Sequence, residues 1–289
     1  MAMKVGIQLF SVKEAMAKDP IAAIKEVASI GYKYLEVANN QADKDPGSGF
    51  GMSPEELLGA LEGTGAKIIS GHIAPINEET LPSIIAWHKA VGNTVVGQSA
   101  AMYADYDDVM KQCEYYNKMG KILSDNGMKF LFHNHFHEFV KFGDKTIYDL
   151  VLENTDPNYV TFELDTFWAM RGGQNPIELL KKMKGRVFAI HQKDFSKLAV
   201  FDHNINLLAK DDTTPVASFE EFFNKYGAKP TDFCEVGTGI MPIQQILDAA
   251  NEAGAEYCIL EQDATQRTEM ESIKISMESF HKYSGIVFE

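Results

Sequence analysis

Cysteine is scarce. Only Cys113, Cys234 and Cys258 occur in 289 residues. Their odd number, wide spacing and lack of a CxxC pair exclude a disulfide framework and a thiolate zinc or redox site, so they read as reduced core residues. Long apolar runs are missing too, with none near the roughly 18 residues that a membrane span needs. The opening Met1-Ala2-Met3-Lys4-Val5-Gly6-Ile7 leads almost straight into a strand-like segment, without the charged and apolar regions of a secretory leader. The expectation is a cytoplasmic protein with no membrane partner. Positive charge is in deficit, with 27 Lys and Arg against 41 Asp and Glu and a formal net charge of -14. Nucleic acid is therefore not expected as a partner, because phosphate binding draws on Lys and Arg. Gly/Ser linkers, charge blocks and low-complexity segments are absent as well, which favours one domain over residues 1–289.

What the chain does have is a rhythm of apolar strand-like runs and helical patterns repeating at roughly thirty residues, the spacing of βα units. The runs are Val5–Phe10, Tyr34–Val37, Lys67–Gly71, Thr94–Val96, Met128–His133, Tyr159–Leu164, Val187–His191 and Tyr257–Glu261. Eight such units predict the α/β class and a single (β/α)8 TIM barrel, which commonly takes about 250 residues. Asp19-Pro20, Ser53-Pro54 and Asn175-Pro176 place a capping side chain before a helix-initiating proline, and Gly31, Gly92, Gly127 and Gly254 supply stops. One connection is outsized. Gln192–Thr238, between strands seven and eight, holds Asp202-His203-Asn204, Asp211-Asp212-Thr213-Thr214-Pro215, a helical pattern over Ser218–Tyr226 and a strand-like piece over Asp232–Val236. Long loops of this kind lie on the catalytic face of a barrel, so the excursion is expected to overhang the site.

Three of the eight histidines, His133, His135 and His137, fall within five residues, directly after the buried run that ends at Phe132. A barrel carries its chemistry at the C-terminal ends of its strands, and there the second half of this chain is densely polar. Strand five ends in His133 with Glu138 beyond, strand six in Glu163-Leu164-Asp165, strand seven in His191-Gln192-Lys193-Asp194, and strand eight in Glu261-Gln262-Asp263. Two or three carboxylates with one or two imidazoles and no thiolate suit a hard-to-borderline divalent ion, Mn2+ first, then Mg2+, Zn2+ or Co2+. Period-two alternation puts Leu131 with His133, Glu163 with Asp165, Ala189 with His191 and Ile259 with Glu261 on shared faces. An inward Glu163 below Asp165 is awkward, so Glu163 facing a helix is the alternative. Rim salt bridges would also explain acidic and basic strand ends, but isolated pairs would not recur on four successive strands. In the first half, Gln8 and Glu36 could hydrogen-bond a polyhydroxylated ligand or be satisfied rim residues. His72 reads as functional because Gly71 beside it permits close approach. His88 and His281, inside helical patterns, read as structural or exposed. Trp168 could wall a sugar face or pack under a helix.

These residues carry a resemblance. Gly6-Ile7-Gln8-Leu9-Phe10-Ser11-Val12, His133-Asn134-His135 with Glu138-Phe139, Glu163-Leu164-Asp165-Thr166 with Trp168, His191-Gln192-Lys193-Asp194 and Glu261-Gln262-Asp263 together resemble the xylose isomerase-like TIM-barrel superfamily of sugar phosphate isomerases and epimerases. The likeness spans essentially the whole chain and is closest to a branch with a His-Asn-His signature. It implies four divalent-metal ligands at the ends of strands five to eight, commonly Glu, Asp, His and Glu. Asp165, His191 and Glu261 fall on the last three. The first position has His133 where many members have glutamate, leaving His133 or Glu138 to complete the set. Glu138 is favoured, since a third carboxylate better neutralises a hard cation, with His133 as a nearby base. That branch often reads Gly-Glu-Gly before the last helix, where this chain has Gly237-Thr238-Gly239 with Glu235 two residues earlier.

The resemblance implies a metal-dependent isomerase, epimerase or lyase that removes a proton next to a carbonyl of a sugar, keto-sugar or polyol, held as small-molecule substrate by Gln8, Glu36, His135 and Trp168. His72, His133, Lys193 and Glu235 are the candidate bases. The rivals are an endonuclease IV-like phosphodiesterase, disfavoured by the acidic charge, and a catalytically silent sugar-binding barrel. A homo-oligomer is compatible with the sequence.

Overall fold

The computed structural model describes residues 2–199, Phe223 and residues 226–289. Eight parallel strands form the centre: β1 Met3–Gln8, β2 Tyr34–Asn39, β3 Lys67–Ile73, β4 Val95–Gln98, β5 Lys129–His133, β6 Val160–Asp165, β7 Val187–Gln192 and β8 Tyr257–Leu260. Each pairs with its successor, and β8 pairs back onto β1 through Lys4↔Tyr257 to Ile7↔Leu260, which closes the barrel. A short strand, Ile286–Val287, adds to the outer edge of β1. The strands are buried on both faces, as a parallel sheet sheathed in helices must be. In β3, six of seven residues are buried.

The helices start where capping chemistry predicts. Asp19 accepts from Ala22 N at the start of α1, Pro20–Ile30, and Ser53 with Glu56 forms a reciprocal capping box on α2, Pro54–Leu61. Asn175 caps the helix Pro176–Lys182 through Ile177 N. Helix Ile243–Ala253 ends on Gly254 at φ 94°, left-handed backbone that glycine adopts without strain.

Two details differ from expectation. Strand β1 stops at Gln8, and Leu9–Val12 turns into a 3-10 helix that carries Phe10 away from the sheet. Gly71 serves the core instead of a ligand, since a Cβ there would meet Val37 Cγ2 at 2.7 Å and His88 Cε1 at 3.1 Å. A tighter approach occurs at Gly97, opposite Leu131, where a Cβ would sit 1.9 Å from the Leu131 carbonyl oxygen.

Of the connection after β7, Asp194–Phe195 pairs antiparallel with Phe233–Cys234, inside the expected strand-like piece. Asp202-His203-Asn204, Asp211–Pro215 and most of the Ser218–Tyr226 pattern lie outside the described residues. No helix among the described residues is long and apolar enough to cross a membrane.

Candidate metal centre

The upper ends of the strands deliver polar side chains to the barrel axis because alternate residues share a face. On β6 this brings both Glu163 and Asp165 inward; on and just past β7 it brings His191 and Lys193; His133 enters from β5 and Glu261 from the end of β8. One donor atom from each of His133, Asp165, His191 and Glu261 falls within 4.8 Å of the others, and all four residues are buried. Asp165 is held rigidly, for its Oδ1 accepts from Trp168 N at 2.7 Å as the cap of helix Thr166–Arg171. The Asn134 side chain clasps the same backbone, accepting from Asp165 N at 3.0 Å and donating to Asp165 O at 3.3 Å.

Beneath lies a second layer. Glu163 and Glu36 are both fully buried. Glu163 Oε2 receives His72 Nε2 at 2.7 Å and His133 Nδ1 at 3.2 Å, with His191 Nε2 at 3.0 Å. Glu36 Oε1 receives Gln8 Nε2 at 2.9 Å and His191 Nε2 at 2.8 Å. On its other side, His191 Nδ1 lies 2.8 Å from Glu261 Oε2.

Charge in this interior is heavily negative. Glu36 and Glu163 meet the imidazoles below, while the Lys193 ammonium contacts Asp165 Oδ2 and Glu261 Oε2 and lies 3.7 Å from Asp263 Oδ2. Burial would lower the Lys193 pKa, but Asp165, Asp263 and Glu261 outweigh it and hold the value above that of ordinary lysine. Burial likewise opposes charge on Glu261, yet Lys193 and His191 keep its carboxyl well below the usual range. His191 is pulled well above its ordinary value, against burial, by Glu163, Glu261 and Glu36. His133 goes the other way and is pushed down to about 3, chiefly by burial. Buried carboxylates in excess over cations call for a positive charge between them. Two imidazoles and two carboxylates converging from adjacent strands fit a divalent ion in donor type and spacing.

Above the cluster opens a cavity of about 440 Å3. Gln8, His72, His133, His135, Trp168 and Glu261, all singled out from the sequence, line it. Phe10, Asn39, Asn40, Ser99, Phe233 and Asp263 line it too and had been assigned no role. Phe10 and Phe233 read from the sequence as strand residues, and an aromatic in a strand is indistinguishable from core packing. Asp263, two residues past Glu261, could have been found by asking which further residues of that strand exit share its face. Burial raises the Asp263 carboxyl to about 7.

Several expected roles change place. Glu163 faces the barrel axis, where three imidazoles make its inward position favourable, instead of a helix. Glu138 lies outside the four-residue cluster: its Oε2 accepts from His135 N at 2.9 Å and its Oε1 is 3.3 Å from His137 Nε2. Glu36 is sealed beneath the cavity and does not line it. Lys193 is an ammonium clamped by carboxylates, which disqualifies it as a base. Glu235 does not line the cavity; its Oε1 accepts from Thr265 Oγ1 at 2.8 Å and is 3.6 Å from Arg267 Nε. His72 lines the cavity, but both ring nitrogens are engaged, Nε2 by Glu163 and Nδ1 by Gln8 at 3.0 Å. His88 is structural, buried with Nδ1 2.9 Å from Asn93 Nδ2.

No protein-family model matches the chain. Among solved structures, a sugar phosphate isomerase/epimerase from Parabacteroides distasonis superimposes with a TM-score of 0.75 at 21% identity, covering 99% of this chain and 96% of that one. The IolI protein with a bound zinc atom follows at a TM-score of 0.68 and 16% identity, covering 97% of each chain. The fold is that of the xylose isomerase-like TIM barrels. In sequence, the chain aligns with the inosose dehydratase of Clostridium botulinum at 26% identity over 196 residues, 60% of this chain and 62% of that protein. It aligns with the inosose dehydratase of Clostridium beijerinckii at 25% identity over 268 residues, 83% of this chain and 82% of that protein. The chain thus spans less than two thirds of the first relative and about four fifths of the second.

Proposed function

We propose that this chain, one barrel domain over residues 1–289, is a divalent-metal-dependent isomerase, epimerase or lyase acting on a sugar, keto-sugar or polyol. The inosose dehydratase relatives favour the dehydrating lyase among these. One observation carries the reading: donor atoms of His133, Asp165, His191 and Glu261 lie within 4.8 Å of one another, and two of the four residues, His133 and Glu261, line a carbohydrate-sized cavity. These four would hold the ion, Mn2+ being our first choice for a mixed imidazole and carboxylate set. A bound divalent ion supplies a Lewis acid that polarises a carbonyl and makes the neighbouring C–H bond more acidic.

The chain's own residues do the rest. Trp168, with Phe10 and Phe233, offers apolar wall to the C–H face of a ring, while the Gln8 side-chain carbonyl oxygen, Asn40 and His135 offer hydrogen bonds to hydroxyls. Lys193, in contact with two cluster carboxylates, holds Asp165 and Glu261 together. Asp263 is the carboxylate that reaches the cavity without belonging to the cluster, so it is placed to exchange a proton with substrate. Of the excursion over Gln192–Thr238, Phe223, Ala228, Pro230 and Phe233 stand along the cavity wall, where they would meet substrate. We place the enzyme in the cytoplasm, acting without a nucleic-acid or membrane partner, as a monomer or homo-oligomer.

The test is metal analysis of gently purified protein followed by turnover of inosose and a panel of ketoses and keto-glycosides, before and after chelation. We expect bound divalent ion, turnover of at least one panel member, and a loss of more than 100-fold on chelation that added Mn2+ reverses. Full activity in chelated, dialysed protein would sink the metal reading.

A further inference from the structure

An ion held by His133 and His191, as proposed above, would depend on the residues beneath them. An imidazole binds a cation through one nitrogen, and the hydrogen bond made by the other decides which one. Protons are assigned here by counting donors and acceptors. The Gln8 amide atom 2.9 Å from Glu36 Oε1 must be nitrogen, because a carboxylate only accepts. That nitrogen is also 3.0 Å from His72 Nδ1, so it gives its second hydrogen there and Nδ1 is an acceptor. Glu36 and Glu163 draw His72 toward the imidazolium, but an imidazolium would aim Nδ1–H at the amide N–H. The ring is therefore neutral and donates Nε2–H to Glu163 Oε2 at 2.7 Å.

The same oxygen accepts from His133 Nδ1 at 3.2 Å, which leaves Nε2 as that residue's ligand atom. His191 directs Nε2–H at Glu36 Oε1, 2.8 Å, and Glu163 Oε2, 3.0 Å. Its other nitrogen, Nδ1, lies 2.8 Å from Glu261 Oε2 and 4.0 Å from Asp165 Oδ2, so it too carries a hydrogen toward Glu261, and it is this Nδ1 proton, not the one held by Glu36 and Glu163, that a bound ion would displace.

We propose that Glu163, assisted by Glu36 and Gln8, is a positioning residue that fixes three histidine tautomers, so that His133 presents Nε2 and His191 presents Nδ1 to the metal. The inference rests on the metal reading above and deepens it. Donor atoms of His72, His133, Glu163 and His191 also lie within 4.8 Å of one another, so the inner layer could be taken for a second ion site. Its three imidazoles already donate protons to Glu163 Oε2, and an ion there would have to displace them.

The experiment has two arms. In zinc-loaded wild-type protein labelled with 15N-histidine, long-range 1H–15N correlations should show protonated Nε2 on His72 and His191, protonated Nδ1 on His133, and zinc shifts on His133 Nε2 and His191 Nδ1. In Glu163→Gln, competition with a chelator should show about 10–100-fold weaker Zn2+ or Co2+ binding at unchanged one-to-one stoichiometry, the usual effect of removing a partner behind a ligand. The cobalt absorption spectrum should change as well, which a merely structural residue would not cause. An ion bound through the opposite nitrogens, or unchanged affinity in Glu163→Gln, overturns the cradle alone. Two ions per wild-type chain, with His72 shifted, would make Glu163 a ligand and overturn it too. A wild type that takes up no ion overturns the metal reading and the cradle together. If Glu163→Gln does not fold, the wild-type spectra still decide.

Discussion

His133 and Glu138 stand five residues apart in the chain and are both buried, but they have different partners. His133 belongs to the cluster, so His133→Ala should weaken metal binding by at least 10-fold, about 1.4 kcal/mol. Glu138 instead satisfies the His135 N–H at 2.9 Å. Glu138→Ala should keep the metal and lose about 1–3 kcal/mol of stability, the cost of stranding a buried donor. Metal per chain and urea midpoints check both, and the reverse pattern would exchange the two roles. Lys193 gives a sharper contrast. Fully buried among Asp165, Glu261 and Asp263, it cannot be removed without leaving like charges facing one another. Lys193→Met should cost the metal-free protein about 3–5 kcal/mol, and saturating Mn2+ should restore much of that by replacing one cation with another. Equal stability of wild type and variant under chelation would show that the ammonium is not needed for charge balance.

At the level of elements, the last turn of helix Leu81–Ala90 carries, at His88, a pH response that is independent of the metal. Burial pushes the His88 imidazole down to about 3. A histidine whose folded pKa is depressed adds stability that is fully present above its unfolded value near 6.5 and is lost as pH falls toward 3. Chelated wild-type protein should therefore lose stability progressively over that window. His88→Leu, which cannot be protonated, should show a shallower acid limb in Tm against pH; parallel limbs would show that His88 opens to solvent before it is protonated. Element boundaries were legible to within a few residues, as at Lys67 and Tyr257, because buried parallel strands are continuous apolar runs between polar loops. Less legible was the step from strand to site. Period-two alternation places Glu163 on the same face as Asp165, but it cannot say that His72, from 91 residues away, waits there to receive it. Nor does spacing reveal that Glu138 folds back on its own loop, or that Glu36, expected to meet substrate, sits under His191.

For the molecule as a whole, the net charge of -14 predicts that duplex DNA, intact or abasic, is neither bound nor cut at physiological salt. Sub-micromolar binding with a steep salt dependence in a filter or anisotropy assay would revive the phosphodiesterase alternative. Composition sufficed for that expectation, whereas residue types at strand ends offered Glu163, Lys193 and Asp263 beside Asp165, His191 and Glu261, and the family resemblance singled out the last three. Charge partnerships such as Lys193 with Asp165 needed coordinates, since they join strands that are neighbours only after folding.

Closure of the barrel through β1 and β8 also has a consequence in time. The ribosome releases β1 first, and its partner Tyr257–Leu260 comes some 250 residues later, on the order of tens of seconds at ordinary synthesis rates. Throughout that interval one edge of β1 has no strand to pair with, and the nascent sheet is open to sticking or misregistry. Glu261 follows β8 directly, so the proposed ion site would be completed only when the last barrel strand arrives, and ion capture would mark a chain that has closed correctly.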